Sequence, residues 1–293
     1  MINTSTVDLV LAPDAPIDLH LHTFYSDGVW SPEALLDHLV SESFALVAIT
    51  DHDRVDTLPE IQQLAAQKHL PVLVGAEMTT QWHGQMVDVL CYGFSLEGTA
   101  LARVAHSVFQ RQQDNLREAY SYLIAQGFPF PPLEENPELL TVLEKPSAQQ
   151  PHDFVPLIKN YGVGIEDGSL KKALRESGLA LIMTEIASVV EAAHQDGGVC
   201  LVAHPGREDI TLFDTHMLDE LREEIPIDGL EVYYPKHNPQ QTTMYGAYAQ
   251  KHGLLISSGS DSHGPHKMPI KYECGLSRLL LERMGIEVRL KAD

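Results

Sequence analysis

The chain has 293 residues, 44% hydrophobic and 21% charged, a globular balance that excludes intrinsic disorder, collagen-like repeats and coiled coil. A formal charge of −21, from 20 basic against 41 acidic residues, excludes a protein that wraps duplex nucleic acid on a broad basic face, but not an anionic substrate met by bound cations. No apolar run nears the roughly 18 residues of a membrane span, the three cysteines (Cys91, Cys200, Cys274) lack disulfide or thiolate-metal spacing, and the N-terminal stretch has no basic leader, so a cytoplasmic protein with no membrane partner is expected.

In chain order, the run Ile17 to His22 predicts a strand, and its alternation puts His20 and His22 on one face, Cα atoms roughly 6.6 Å apart at about 3.3 Å per residue. The loop Tyr25 to Gly28 carries Asp27, and Ser31-Pro32-Glu33 is an N-cap and first turn for a helix whose stripe is Leu35, Leu36, Leu39 and Val40. A strand over Ala45 to Thr50 leads into His52, a helix covers about Leu58 to Lys68, a strand over Pro71 to Ala76 leads into Glu77, and a further strand spans Met86 to Tyr92 and contains Asp88. From 96 to 182 the rhythm breaks: one long polar helix (Thr99 to Gln126), a Pro-rich turn (Phe128 to Pro132) and short helical pieces read as a helical insertion beside the mouth of the site. Alternation then resumes with a helix (Thr184 to Gln195), a strand (Gly198 to Ala203) before His204, a helix (Leu212 to Glu224), a strand (Asp228 to Val232), a helix (Pro239 to Lys251) and a strand (Leu254 to Ser258) before Asp261 and His263. Segments 15–95 and 183–293 therefore predict one α/β unit around a mostly parallel sheet, open or closed into a barrel.

The sequence holds 15 histidines, several beside carboxylates. An HxH pair alone is weak, but ITDHD, GAE, VAHPG and GSDSHG each set a polar group after an apolar run, at the rim where barrel enzymes keep their chemistry. His with Asp and Glu, and no thiolate, is the donor mixture of hydrolytic Zn, Mn or Fe sites. Burying so many charges without a cation would be costly. His38, His69, His106, His194 and His252 fall in helical patterns and read as exposed or packed.

These segments in this order, from about Ile17 to Gly264, resemble the PHP (polymerase and histidinol phosphatase) family of metal-dependent phosphoesterases. The likeness is nearest to its stand-alone members acting on nucleotides or short oligonucleotides, and GLEVYYPKHNPQQ and GLLISSGSDSHG are similar to that branch. The resemblance implies a distorted seven-stranded β/α barrel holding two or three divalent ions (Mn, Zn or Fe). It implies His20, His22, Glu77 and Asp261 at the first ion; Asp27, His52 and His263 at the second; Glu77 and His204 at the third, with Asp88 where the family usually has a His. A second departure is QPH at Gln150 to His152, where many relatives carry RPH.

The expected reaction is attack on phosphorus by hydroxide generated on the metals, oriented by Asp261, with His237 or a metal-held water protonating the leaving group. Arg207, His152 and Lys236 are the candidate substrate contacts; a surface ion pair is the alternative for Arg207 and a solvated loop for Lys236. Tyr233 and Tyr234 suit either stacking on a base or plain packing. The expected partner is a small phosphorylated molecule, a nucleoside 3′,5′-bisphosphate or short oligonucleotide rather than duplex nucleic acid. A sugar phosphatase, a barrel hydrolase of amides or lactones, and a non-catalytic metal- or nucleotide-binding module are the rival readings.

Overall fold

The computed structural model describes residues 6–161 and 168–289. Residues 1–5 of the N-terminal stretch, 162–167 of the expected insertion and 290–293 of the last barrel segment lie outside the described residues. After a short strand β1 (Val10–Leu11), the seven apolar runs form β2 (Pro16–Leu21), β3 (Leu46–Ile49), β4 (Val72–Trp82), β5 (Gln85–Tyr92), β7 (Val199–Val202), β8 (Gly229–Tyr233) and β9 (Leu255–Ser258), with β6 (Thr184–Glu185) between β5 and β7. The sheet order is β10-β2-β3-β4-β5-β7-β8-β9, where β10 is Tyr272–Glu273 and β6 pairs with β4. The free edge of β2 is met by β10 at its start and by Ser262, just past β9, at its end: Leu21 bridges Ser262, and the His22 amide donates to the Ser262 carbonyl at 2.9 Å. The sheet thus curls into a nearly closed α/β barrel, as expected.

Helices α1 (Pro32–Ser41) and α2 (Leu58–Gln67) follow β2 and β3, while α7 (Ile186–Gln195), α8 (Thr215–Glu224) and α9 (Pro239–His252) flank β7 and β8. Ser31 caps α1 by accepting from the Ala34 amide at 3.1 Å. Strand alternation separates two cores: Val47, Ile49, Val72, Val74, Cys200, Val202, Leu230 and Val232 pack in the helix layer, whereas Leu46, Ala48, Leu73, Leu90, Tyr92 and Leu201 form the other with Leu280 and Leu281 of α10 (Arg278–Arg283). By the same parity Glu77, Asp88 and Glu231 turn away from the helix layer, toward the barrel axis. Strand β1 pairs with β11 (Glu287–Val288), a parallel contact joining the two ends of the described chain.

Two features depart from the sequence reading. Glu77 lies midway along β4 rather than past its end, because β4 continues beyond the rim to Trp82 and returns as β5 through His83 and Gly84, both left-handed (φ 49° and 76°) as a two-residue hairpin turn demands. Strand β5 accordingly runs antiparallel to both β4 and β7.

The long helix α3 (Ala100–Ala125) serves two cores: Leu101 and Ala105 join the barrel's helix layer, while Leu116, Tyr120 and Leu123 pack with α4 (Pro137–Leu143), α5 (Gln149–Asn160) and α6 (Ser169–Glu176) in a separate cluster. This helical body touches the rim where Ser147 donates to Asp53 Oδ2 at 3.2 Å and Gln149 donates to the Ser26 carbonyl. Among the described residues no helix is long and apolar enough to cross a membrane.

Candidate metal centre

Four imidazoles converge on one carboxylate at the rim. The Nε2 atoms of His20, His22 and His52 lie 2.8, 3.1 and 3.3 Å from Glu77 Oε2, and His204 Nε2 lies 2.9 Å from Glu77 Oε1. An oxygen has two lone pairs, so three nitrogens around Oε2 exceed what hydrogen bonding uses. His20 and His22 do share a face as alternation required, ring centroids 5.0 Å apart and Nε2 atoms 3.1 Å apart. Asp261 turns Oδ1 toward this pair, 3.3 Å from His22 Nε2 and 3.7 Å from His20 Nε2.

The expected first and second ligand sets are brought together. His20, His22, Glu77 and Asp261 offer donor atoms within 4.8 Å of one another, as do His22, Asp27, His52 and His263; a third such group is His52, Glu77 and Asp88. His204 stands beside that third group, 3.9 Å from Asp88 Oδ2. Asp88 Oδ1 is buried and has no hydrogen-bond partner, so its environment supplies fewer donors than a carboxylate there needs. These residues fit divalent cations: the donors are nitrogen and oxygen only, they converge, and one buried oxygen is left over.

The electrostatics point the same way. Burial by itself would lower the His22 pKa, but hydrogen bonds with Asp261 and Glu77 carry it up to about 10. Burial is likewise outweighed at His20 and His52, both raised by the Glu77 charge. Glu77 and Asp261 sit well below the carboxylate range despite burial, held there by these imidazoles. Asp88 is raised, first by burial and then by repulsion from Glu77. The cluster therefore demands positive charge at its centre, which protons or cations can supply.

Backbone conformation supports the placement. His204 and Asp261 adopt left-handed φ of 27° and 53°, uncommon outside glycine and found where function imposes a geometry. Gly259 allows β9 to pass close to the site, since a Cβ there would meet His20 Cβ at 2.2 Å and Glu231 Oε1 at 2.6 Å.

Several residues that orient the candidate ligands were not singled out by sequence. Glu231 in β8 is wholly buried; its Oε1 accepts from His20 Nδ1 at 2.9 Å and its Oε2 from the His204 amide at 2.9 Å. That bond places the His20 proton on Nδ1 and turns the Nε2 lone pair into the cluster. Thr79 Oγ1 meets His52 Nδ1 at 3.1 Å, and His263 Nδ1 donates to the Asp261 carbonyl at 2.8 Å. Tyr234, read as a stacking or packing residue, donates its hydroxyl to Asp261 Oδ2 at 3.0 Å, and Lys267 donates to the same oxygen at 2.7 Å. The only available sequence signal for Glu231 was a lone acid inside an otherwise apolar strand.

Among the described residues, the side chains of the remaining candidates make no hydrogen bond to the cluster. At His237, Nδ1 donates to the Val232 carbonyl at 3.0 Å and Nε2 accepts from the Gly206 amide at 3.1 Å, so both ring nitrogens engage backbone, and burial lowers its pKa. That leaves it no free proton to give a leaving group. Arg207 forks onto Asp209 (Nε to Oδ1 3.1 Å, NH2 to Oδ2 2.6 Å), Lys236 is exposed, and the exposed His152 meets only Asp153, at 3.4 Å. Gln150 is buried and donates to the carbonyls of Leu143 (3.2 Å) and Lys145 (2.8 Å), a tie within the helical body.

The sequence profile of the PHP domain matches residues 18–270. The chain is 29% identical over 261 residues to the 3′,5′-nucleoside bisphosphate phosphatase of Chromobacterium violaceum, covering 86% of this chain and 88% of the relative. It is 27% identical over 270 residues to the 5′-3′ exoribonuclease Rnm of Salmonella typhimurium, covering 85% of each. In fold it is similar to a structure from Bifidobacterium adolescentis described as a metal-dependent phosphoesterase, with TM-score 0.69 and 22% identity over 96% of this chain and 99% of that one.

Proposed function

Since this chain belongs to the PHP domain family and is a phosphoric ester hydrolase, we propose that it acts with two or three divalent ions on a small nucleotide ester, a nucleoside 3′,5′-bisphosphate or a short oligonucleotide. The observation that carries the metal reading is the convergence of His20, His22 and His52 on Glu77 Oε2. His20, His22, Glu77 and Asp261 would hold one ion, Asp27, His52 and His263 a second, and Glu77, Asp88 and His204 a third. Bound there, such ions lower the pKa of water toward neutrality and offset charge on phosphate oxygens. The chain's own residues do the aligning. Glu231, Thr79 and the Asp261 carbonyl engage the Nδ1 atoms of His20, His52 and His263, which directs each Nε2 inward. Tyr234 and Lys267 hold Asp261 Oδ2, leaving Oδ1 to face the centre.

Small substrates are favoured because a surface of net charge −21 repels long polyanions, while a rim bearing cations still attracts one terminal phosphate. Phosphate release compared across a nucleoside 3′,5′-bisphosphate, a short 5′-phosphorylated oligonucleotide, a sugar phosphate and an amide should be fastest with the first two. Preference for the sugar phosphate or the amide, or tight salt-dependent binding of long duplex DNA, would contradict the proposal.

Asp88 is proposed to set metal choice at the third position, a hard oxygen donor favouring Mn over Zn. Elemental content and metal preference of activity should move toward Zn in Asp88→His, and one ion should be lost in Asp88→Ala. Identical ion number, kind and activity ratios in all three proteins would show that Asp88 is no ligand.

A further inference from the structure

Resting on the phosphoesterase reading, we propose that Lys267 is the residue that grips the substrate phosphate, its ammonium group receiving a nonbridging oxygen beside Asp261. Among the described residues the centre gathers the carboxylates of Asp27, Glu77, Asp88 and Asp261, and Lys267 is the one Lys or Arg paired with any of them. An anionic ester entering such a place needs cationic contacts as well as metals, since the protein as a whole repels it. Arg207 is the other nearby cation, but its Nε and NH2 hold Asp209, and among the described residues it forms no ion pair with a carboxylate of the centre.

Lys267 is built to hold its head group in place while keeping donors free. Its backbone is pinned on both sides, the amide donating to the Gly264 carbonyl at 2.9 Å and the carbonyl accepting from Ser262 Oγ at 2.5 Å, within the loop that also carries Asp261 and His263. The side chain passes over the Tyr234 ring, Nζ 5.7 Å from its centroid, and remains 25% exposed. Of its three ammonium hydrogens one is spent on Asp261 Oδ2 at 2.7 Å, and no second protein acceptor is present among the described residues. Asp261 Oδ2 also accepts from Tyr234 at 3.0 Å, so that oxygen keeps a donor when the ammonium group turns to a phosphate. The arrangement suits a phosphate contact better than a plain ion pair, which would need neither the free donors nor the duplicate bond.

The test uses metal-loaded wild type, Lys267→Met, Lys267→Arg and Tyr234→Phe, with elemental content, calorimetric titration of inorganic phosphate, and steady-state kinetics on a nucleoside 3′,5′-bisphosphate. Lys267→Met, which keeps the stem over Tyr234, should retain its metals yet bind phosphate roughly 10- to 100-fold more weakly and show a matching rise in KM, as loss of a charge-assisted hydrogen bond implies. Lys267→Arg should recover most of the affinity, and Tyr234→Phe, which removes the bond that frees the ammonium group from Asp261, should weaken phosphate binding but by less than Lys267→Met. Unchanged phosphate affinity in Lys267→Met, with kcat or metal content reduced, would show that Lys267 only positions Asp261 and overturn the proposal; so would a wild type that binds no phosphate. Wild type that binds phosphate through Lys267 without hydrolysing any ester would sink the phosphoesterase reading and leave the contact standing.

Discussion

Replacing Glu77 by Gln is expected to lower phosphate ester turnover by about a thousandfold or more and to strip most of the bound metal, because this one carboxylate meets the imidazoles of His20, His22, His52 and His204. An amide in its place keeps the volume but removes the charge, and its NH2 group can neither ligate a cation nor accept from an imidazole. A thousandfold loss corresponds to about 4 kcal/mol, within the range for breaking one partner out of a buried charged cluster. Phosphate release and elemental content measured on the same preparation check the result. A Gln variant with its full complement of metal and a near wild-type rate would show that Glu77 bridges nothing.

Glu231→Gln should show the second-largest effect, and it separates metal affinity from the chemistry. The native carboxylate accepts from two donors that are not its neighbours in sequence, His20 Nδ1 and the His204 amide. A Gln can give an oxygen to only one of them and must set an NH2 against the other. His20 or His204 is then misaligned, and metal affinity should fall about 10- to 100-fold, as for other groups that hold a ligating His. Titrating metal into the apoprotein reads this directly. At saturating metal much of the activity should return, whereas unchanged metal affinity would show that Glu231 has no orienting role.

Much of the candidate cluster was legible in the sequence because several of its members follow an apolar strand, as with His52 after Leu46–Ile49, His204 after Val199–Val202 and Asp261 after Leu255–Ser258. Periodicity also placed the long helix within a residue of its ends. Three things were hidden, each for a physical reason. The sequence Met78-Thr79-Thr80-Gln81-Trp82 lacks clean alternation, yet it is strand because β5 and β6 pair with it on either side. Glu231 looks like a stray acid in GLEVY, since nothing local reveals that its partners lie 27 and 211 residues away. His237 stands at the rim as its position suggested, but Gly206 admits its ring so closely that the backbone takes both nitrogens; a Cβ on Gly206 would meet His237 Cδ2 at 2.6 Å. Rotamers and long-range partners of that kind are set by the assembled barrel and not by the local sequence.

We propose that this His and carboxylate cluster holds the divalent ions on which ester hydrolysis depends. The most direct test is elemental analysis and phosphate release on one sample as purified, after exhaustive chelation, and after return of Mn, Zn or Fe separately. Two or three ions per chain are expected, with loss of turnover when they are removed and recovery with at least one of the three metals. Full turnover by protein shown to be metal-free would contradict the proposal.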